Sequence, residues 1–202
     1  MKQIETDICI IGGGAGGLSL AAGAVQVGAR VVLFEGGQMG GDCLNSGCVP
    51  SKALLAAAKA AYLANGNAAM GITNNPPNID FAAVKAHVAD VIAQIEPHDS
   101  IARFEALGVT VIPEMAHFTG PRTVASATHQ VRAKYIVIAS GSQPMLPPIQ
   151  GLDQTDFYSN ETIFADPEKP GHLMIIGGGS IGVEMAQAHA RPAYDAVPAH
   201  TV

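Results

Sequence analysis

The chain has 202 residues, 48% of them hydrophobic and 14% charged, with 23 glycines and a formal net charge of -6. That length holds one large domain or two small ones, and a glycine share above the usual ~7% suggests an α/β protein with several tight backbone turns. With no Lys/Arg cluster and few aromatics, the chain lacks the basic footprint and stacking platforms of a nucleic-acid binder.

The opening "MKQIETD" has no basic signal-peptide region, so a cytoplasmic location is expected, where disulfides are catalytic or transient. Residues 8–29 carry no charge and are long enough to cross a bilayer. Their glycines are grouped in the middle, as in a strand–turn–helix, and that argues against a membrane span.

In chain order, the apolar run Ile8–Ile11 predicts a buried strand. "GGGAGG" follows, then an Ala/Leu-rich helix ending near Gly28, then a strand Val31–Phe34 closed by Glu35. Gly12, Gly14 and Gly17 have the G-x-G-x-x-G spacing. The first allows the tight turn, the second lets a pyrophosphate approach the backbone, and the third lets the helix pack on the strand. The helix N-terminus offers N–H groups and partial positive charge to phosphates. Glu35, 18 residues after Gly17, stands where an acid accepts hydrogen bonds from a ribose hydroxyl. A plain glycine-rich turn is the alternative; the strand, helix and placed acid favour a dinucleotide site.

"GGDCLNSGCVPSK" places Cys43 and Cys48 five positions apart, leading into the helix "SKALLAAAKAAYLA". Residues five apart on a straight helix are about 140° out of phase and displaced by about 7.5 Å along the axis. A disulfide wants Cα atoms about 4.4–6.8 Å apart. The two can therefore bridge only if Cys43 lies in an irregular first turn, which Gly40, Gly41, Gly47 and Pro50 would supply. A thiol at a helix N-terminus ionises more easily and becomes nucleophilic. Two ordinary buried cysteines, or half a zinc site, are the alternatives. A zinc site takes about four ligands, and no His or Cys pair at ligand spacing completes one, so no metal site is assigned.

A helical stretch over residues 81–107 with a break near Pro97 comes next, then a small β-meander and a buried strand Tyr135–Ala139. "SGSQPMLPPIQG" reads as a loop and suggests a boundary near residue 150. "HLMIIGGGSIGVEMAQAHA" repeats the opening device with Gly177, Gly179 and Gly182, which implies a second dinucleotide site or the beginning of one. Cys9, inside the first strand, is expected to be buried and inert. His98 reads as a loop or helix-terminal residue, and the Ala/Leu stripe Ala53–Leu63 as helix core.

"GGDCLNSGCVPSKALL", with "GGGAGG", "IASGSQP" and "IIGGGSIGVEMA", resembles the class I flavoprotein disulfide oxidoreductases, the group of dihydrolipoamide dehydrogenase, glutathione reductase and mercuric reductase. "IEPHDSIARFEALGVTVI" looks closest to the mercuric-reductase-like branch. The resemblance implies a Rossmann-like α/β fold with FAD at the first glycine loop, held by Gly12, Gly14, Gly17, Glu35, Gly40, Gly41, Asp42, Ser140 and Gly141. It implies NAD(P)H as electron donor at Gly177, Gly179 and Gly182. It implies that Cys48 faces the flavin, that Cys43 attacks a disulfide or metal-ion substrate, that Lys52 sits near flavin N5, and that Glu184 pairs with Lys52. Relatives usually carry threonine where this chain has Asp42, which brings a negative charge toward the flavin region.

The division expected on this basis is an FAD-binding domain over 1–148 with the redox disulfide, the start of an NAD(P)-binding domain over 149–191, and an atypical tail over 192–202. "RPAYDAVPAHTV" carries two prolines in seven residues, which fits neither a helix nor a central strand. The chain is thus expected to be a truncated member. It would lack the dimerisation domain and catalytic histidine through which the family forms homodimers, and would be a non-catalytic FAD-binding remnant if it acts alone.

Overall fold

The computed structural model describes residues 1–75, 77–191 and 199–201, the last three by backbone only. In chain order the elements are β1 (Lys2–Ile11), α1 (Ala15–Gln26), β2 (Val31–Phe34), α2 (Gly41–Asn45), α3 (Cys48–Ala64), β3 (Gly66–Asn67), β4 (Ile72–Thr73), α4 (Phe81–Ile95), α5 (Ile101–Ala106), β5 (Val109–Ile112), β6 (His117–Gly120), β7 (Thr123–Ala125), β8 (His129–Ile138), β9 (Leu173–Ile175), α6 (Ser180–Ala190) and β10 (Ala199–Thr201). They form two compact units, Met1–Asn45 with Ala93–Leu146, and Ser46–Ile92 with Pro147–Val202.

The first unit is built on a six-stranded sheet in the order β5-β2-β1-β8-β7-β6. The pairs β1–β2, β1–β8 and β2–β5 are parallel, while β6, β7 and β8 form the antiparallel meander. Parallel strands are covered on both faces, and Val31–Phe34 is buried at every position. One face gives Ile10, Val31, Leu33, Val109 and Val111 to a core with Leu18, Ala21 and Ala24 of α1 and Phe104 of α5. Alternate residues Cys9, Val32, Phe34 and Ile112 join Val124, Val131 and Ala133 in a second cluster. Cys9 has no exposed surface, and burial pushes its thiol up to about 12, so it is inert at neutral pH.

Helix α1 stops where expected. The Gly28 N–H donates to the Val25 carbonyl at 3.0 Å and the Ala29 N–H to the Ala24 carbonyl at 3.1 Å, with Gly28 left-handed at φ +82°. This is a Schellman closure, which glycine adopts without steric penalty. The break expected near Pro97 also forms: α4 ends at Ile95, a single 3-10 turn covers Glu96–Asp99, and Ser100 caps α5 by accepting the Arg103 N–H at 3.3 Å.

Two expectations need correction. The first strand is ten residues long, because its polar half pairs residue by residue with β8 from Lys2↔His129 onward. The strand expected to be buried over Tyr135–Ala139 is the end of β8, where Tyr135 and Ile138 are 69% and 67% exposed. Apolar β-formers signal a strand but do not say that both of its faces are covered.

In the second unit, α3, α4 and α6 share a core of Ala53, Leu54, Ala58, Phe81, Val88, Met185 and Ala188, so the first half of the Ala/Leu stripe of α3 is core, while Ala56, Ala60 and Leu63 are exposed and correct the expectation for the whole of Ala53–Leu63. Residues 192–198, most of the expected tail, lie outside the described residues; beyond them β10 pairs in parallel with β9.

Glu114, just before the meander, gave no signal in the sequence. Its carboxylate accepts the Thr128 N–H at 3.0 Å and the Thr128 hydroxyl, and lies 3.8 Å from His129 Nδ1. Hydrogen bonds from Ser126 first, then Thr128, hold its carboxyl down at about 2, against 4.5 ordinarily. A depressed carboxyl contributes stability that is complete above the unfolded value and is lost as pH falls toward the folded one. Urea midpoints of the native chain should therefore fall between about pH 4.5 and about pH 2, and Glu114→Gln should flatten that slope; an unchanged slope would remove Glu114 from the turn's acid sensitivity.

Candidate functional site

Each unit carries part of the predicted site. In the first, Gly12 follows β1 with φ +111°, a left-handed value that favours glycine. A Cβ built there would lie 2.2 Å from the Ala139 carbonyl oxygen and 3.0 Å from Ser140 Cα, so the loop after β8 runs against the turn. A Cβ on Gly17 would lie 1.9 Å from the Gly12 carbonyl oxygen, and only glycine lets α1 seat this closely on the turn. Gly14 is the extended N-cap of α1 and supplies no side-chain cap, so the helix start presents bare backbone. Gly14 bridges Gly40, and a Cβ on Gly41 would meet Gly14 Cα at 2.8 Å. The structure therefore brings Gly12, Gly14, Gly17, Gly40, Gly41 and Ser140 together around one helix N-terminus; Gly141 follows at φ +70°, exposed.

Glu35 reaches the same turn. Its Oε2 accepts the Gly13 N–H at 2.5 Å and its Oε1 the Gly37 N–H at 2.6 Å. A carboxylate has about four acceptor positions, so both oxygens keep capacity for a further donor. Asp42 lies exposed in the first turn of α2.

The cysteines fall on two helices, which supplies the irregularity their spacing demands. Cys43 is in the short α2, Cys48 is the first residue of α3, and the helical run is interrupted at Ser46 and Gly47. Cys43 is half-buried and Cys48 exposed.

In the second unit, Lys52 of α3 donates to both carboxylate oxygens of Glu184 of α6, at 2.6 and 2.7 Å. The side chains are 59% and 28% exposed, which makes this a solvent-screened pair. The second glycine loop repeats the first. Gly177 has φ +111°, Gly179 is an extended N-cap, and a Cβ on Gly182 would lie 2.1 Å from the Gly177 carbonyl oxygen. One flanking contact matches too, Ile10 Cγ2 3.3 Å from the Gly17 position and Ile175 Cγ2 3.4 Å from the Gly182 position, whereas Gly177 and Gly179 face open space where Gly12 and Gly14 meet neighbouring backbone.

Sequence reasoning passed over Lys85 and His189. Lys85 lies mid-helix in α4, and its ammonium donates to the Ile163 carbonyl; His189 sits at the end of α6 with Nδ1 2.8 Å from the Met185 carbonyl. Both are buried. Neither has a motif, although each falls on the apolar face of its helix and so could have been found from periodicity. Among the described residues no group of three or more His, Cys, Asp or Glu side chains forms a metal cluster, and no helix is long and apolar enough to cross a membrane.

Residues 6–198 match the family model described as pyridine nucleotide-disulphide oxidoreductase. Similar proteins include a mercuric reductase from Streptomyces lividans, 38% identical over 95% of this chain and 42% of the relative, and a dihydrolipoyl dehydrogenase from Pseudomonas aeruginosa, 35% identical over 95% and 43%. A solved structure, the Cu(II) complex of the HOCl-induced flavoprotein disulfide reductase RclA from Escherichia coli, matches with a TM-score of 0.80 and 27% identity over 97% of this chain and 41% of that one. The chain thus spans about two fifths of the length of these relatives.

The exposure of the Lys52–Glu184 pair fixes its expected strength. A double-mutant cycle of Lys52→Met and Glu184→Gln in urea should give a coupling of about 0.2–1 kcal/mol. A value near the 3–5 kcal/mol typical of breaking a buried pair would show that the two are shielded from solvent.

Proposed function

The chain belongs to the pyridine nucleotide-disulphide oxidoreductase family, and from that premise we propose that it forms the FAD- and disulfide-bearing part of an enzyme that moves electrons from NAD(P)H to a disulfide or metal-ion substrate. The observation that carries the reading is the side-chain-free cradle at the start of α1, with Glu35 bonded to its Gly13 N–H. A Cβ would collide at Gly12, Gly17 and Gly41, and the open backbone suits a pyrophosphate resting on uncapped N–H groups. The residues present therefore fit FAD.

FAD, when bound, supplies the two-electron carrier between the nicotinamide and the thiols. Gly12, Gly14, Gly17, Gly40 and Gly41 give its pyrophosphate close approach, Glu35 accepts from the adenosine ribose, and Ser140 and Gly141 border the cradle. Gly177, Gly179 and Gly182 serve the pyridine nucleotide in the same way. On this reading residues 1–148 hold FAD and 149–191 begin the part that holds NAD(P). Lys52, oriented by Glu184, contributes a positive charge that favours an anionic flavin. Asp42 sets a negative charge beside Cys43.

Only four residues separate Cys43 from Cys48, and the helical run breaks between them at Ser46 and Gly47. In the dithiol form, the Cys43 thiolate attacks a substrate disulfide and releases one thiol. Cys48 then attacks the mixed disulfide, releases the second thiol and closes the Cys43–Cys48 bond, so that two electrons leave the protein. Cys48 begins a 17-residue helix and is exposed, so its sulfur is open to the mixed disulfide.

Two measurements test this. Thiols counted in denaturant should number one before reduction and three after it, because Cys9 is the remaining cysteine; three before reduction would rule out the redox disulfide. The 202-residue chain mixed with FAD should take up the flavin, and Glu35→Ala should weaken that binding by about 1–3 kcal/mol, the penalty for a polar group left unpaired. Unchanged affinity would take Glu35 out of the site.

A further inference from the structure

Lys85 and His189 lie outside the machinery described above, and their burial is unusual for side chains that can carry charge. They line one small pocket in the second unit, with a cavity volume of about 10 Å³, together with Tyr158, Ile163, Asp166, Glu168, Pro170 and Leu173. Lys85 comes from α4, His189 from α6, and the others from residues 158–173, so the cavity is where three parts of the unit meet. The Lys85 ammonium ties α4 to the third part by donating to the Ile163 carbonyl, and it lies 5.3 Å above the Phe81 ring. The His189 ring sits 6.2 Å from the same Phe81 ring. Its Nδ1 faces the Met185 carbonyl at 2.8 Å, so the neutral ring carries its proton there.

We propose that Lys85 and His189 form a buried two-base latch, which joins α4, α6 and residues 158–173 while His189 is neutral and loosens them when His189 takes up a proton. The groups around His189 set this behaviour. Lys85 faces it from α4, and Tyr158, Asp166 and Glu168 line the same cavity from the connecting segment. On α3 the core residues shared with α6 are the apolar Ala53, Leu54 and Ala58, the charged contact of that helix with α6 is Lys52 on Glu184, five positions before His189, and β9 presents Leu173. Asp166 is engaged by the Tyr158 hydroxyl and the Glu168 N–H, and its charge attracts Lys85. The charge that bears on His189 is that of Lys85. A second proton therefore sets two cations against each other in a poorly hydrated space. Burial first, and Lys85 in addition, hold His189 below its ordinary 6.5.

The sign follows from linkage. Below pH 6.5 the unfolded chain binds a proton that the folded chain refuses, so stability falls as pH drops toward the depressed folded value. Because α6 also carries Glu184, loosening its seat acts on the helix that orients Lys52. The latch rests on the burial, contacts and charges of these groups and stands whether or not the proposed activity does.

The test is a histidine-resolved NMR titration of the 202-residue chain, paired with melting curves at about pH 7.5 and about pH 5.5, where histidine changes charge. His189 should titrate below 6.5, and Lys85→Met, an apolar residue of similar length, should raise its midpoint. On acidification the wild type should lose about 2–4 °C more in melting temperature than His189→Phe, the shift that one lost interaction of ordinary size gives in a chain this long. A wild-type His189 midpoint at or above 6.5, an unmoved midpoint in Lys85→Met, or equal acid losses in wild type and His189→Phe would each overturn the latch. If Lys85→Met does not fold, the wild-type titration and His189→Phe still decide.

Discussion

The contact on which the rest depends is between the Gly12 carbonyl oxygen and the place where Gly17 has no side chain. An added Cβ would stand 1.9 Å from that oxygen, well inside any tolerated distance, so α1 can sit this low on the end of β1 only because the position is glycine. The close seat fixes where the helix N-terminus points and leaves its first turn without a side-chain cap. It also puts Gly13 within reach of Glu35 at the end of β2, and lets residues 139 and 140 run against Gly12. Strand, turn, helix, acid and the loop after β8 are thus five consequences of one steric permission. The second unit repeats the permission at Gly177 and Gly182 with nearly the same distances, which marks it as one backbone device used twice rather than two glycine-rich turns.

The sequence made legible whatever depends on local backbone chemistry. Glycine spacing located both loops, Gly28 located a helix end, and Pro97 located the break after α4, because each acts through its own φ/ψ or its own missing donor. The Lys52–Glu184 contact, 132 positions apart, was legible for another reason: it came from resemblance, since no local rule links residues so distant. What escaped was set by partners. The polar "KQIETD" reads as a terminus until β8 pairs with it, and Glu114 is ordinary until the Ser126–His129 turn presents donors to it. The exposure of Tyr135 and Ile138 could not be read from a run of β-formers, because strand propensity reports fit to a pleated surface and not what covers it.

The two lysines of the second unit separate the roles that solvent allows. Lys52 keeps more than half of its side chain in water, and its pairing with Glu184 is a matter of direction, aiming a charge at little thermodynamic gain. Lys85 is buried, so its charge is felt over longer distances and its hydrogen bond to a carbonyl is hard to replace. A charge that must act on a bound group belongs in the first setting, where it can be approached. A charge that must report on pH belongs in the second, where it depresses a neighbouring histidine.

Both settings converge on α6. Its N-terminus is the second glycine loop, its middle holds Glu184 against α3, and its last turn holds His189 against Phe81 and the Lys85 cavity. The helix is 11 residues, about three turns, so a rigid rod of roughly 16 Å connects all three. Such a short helix has little stability of its own and keeps its place through packing, here the apolar contacts of Met185 and Ala188 with α3 and α4. A change that loosens this packing therefore also loosens the seat of the carboxylate in the middle. This makes the apolar seam of Ala53, Leu54, Ala58, Met185 and Ala188, which touches no candidate ligand, the element that sets how accurately Glu184 can hold Lys52.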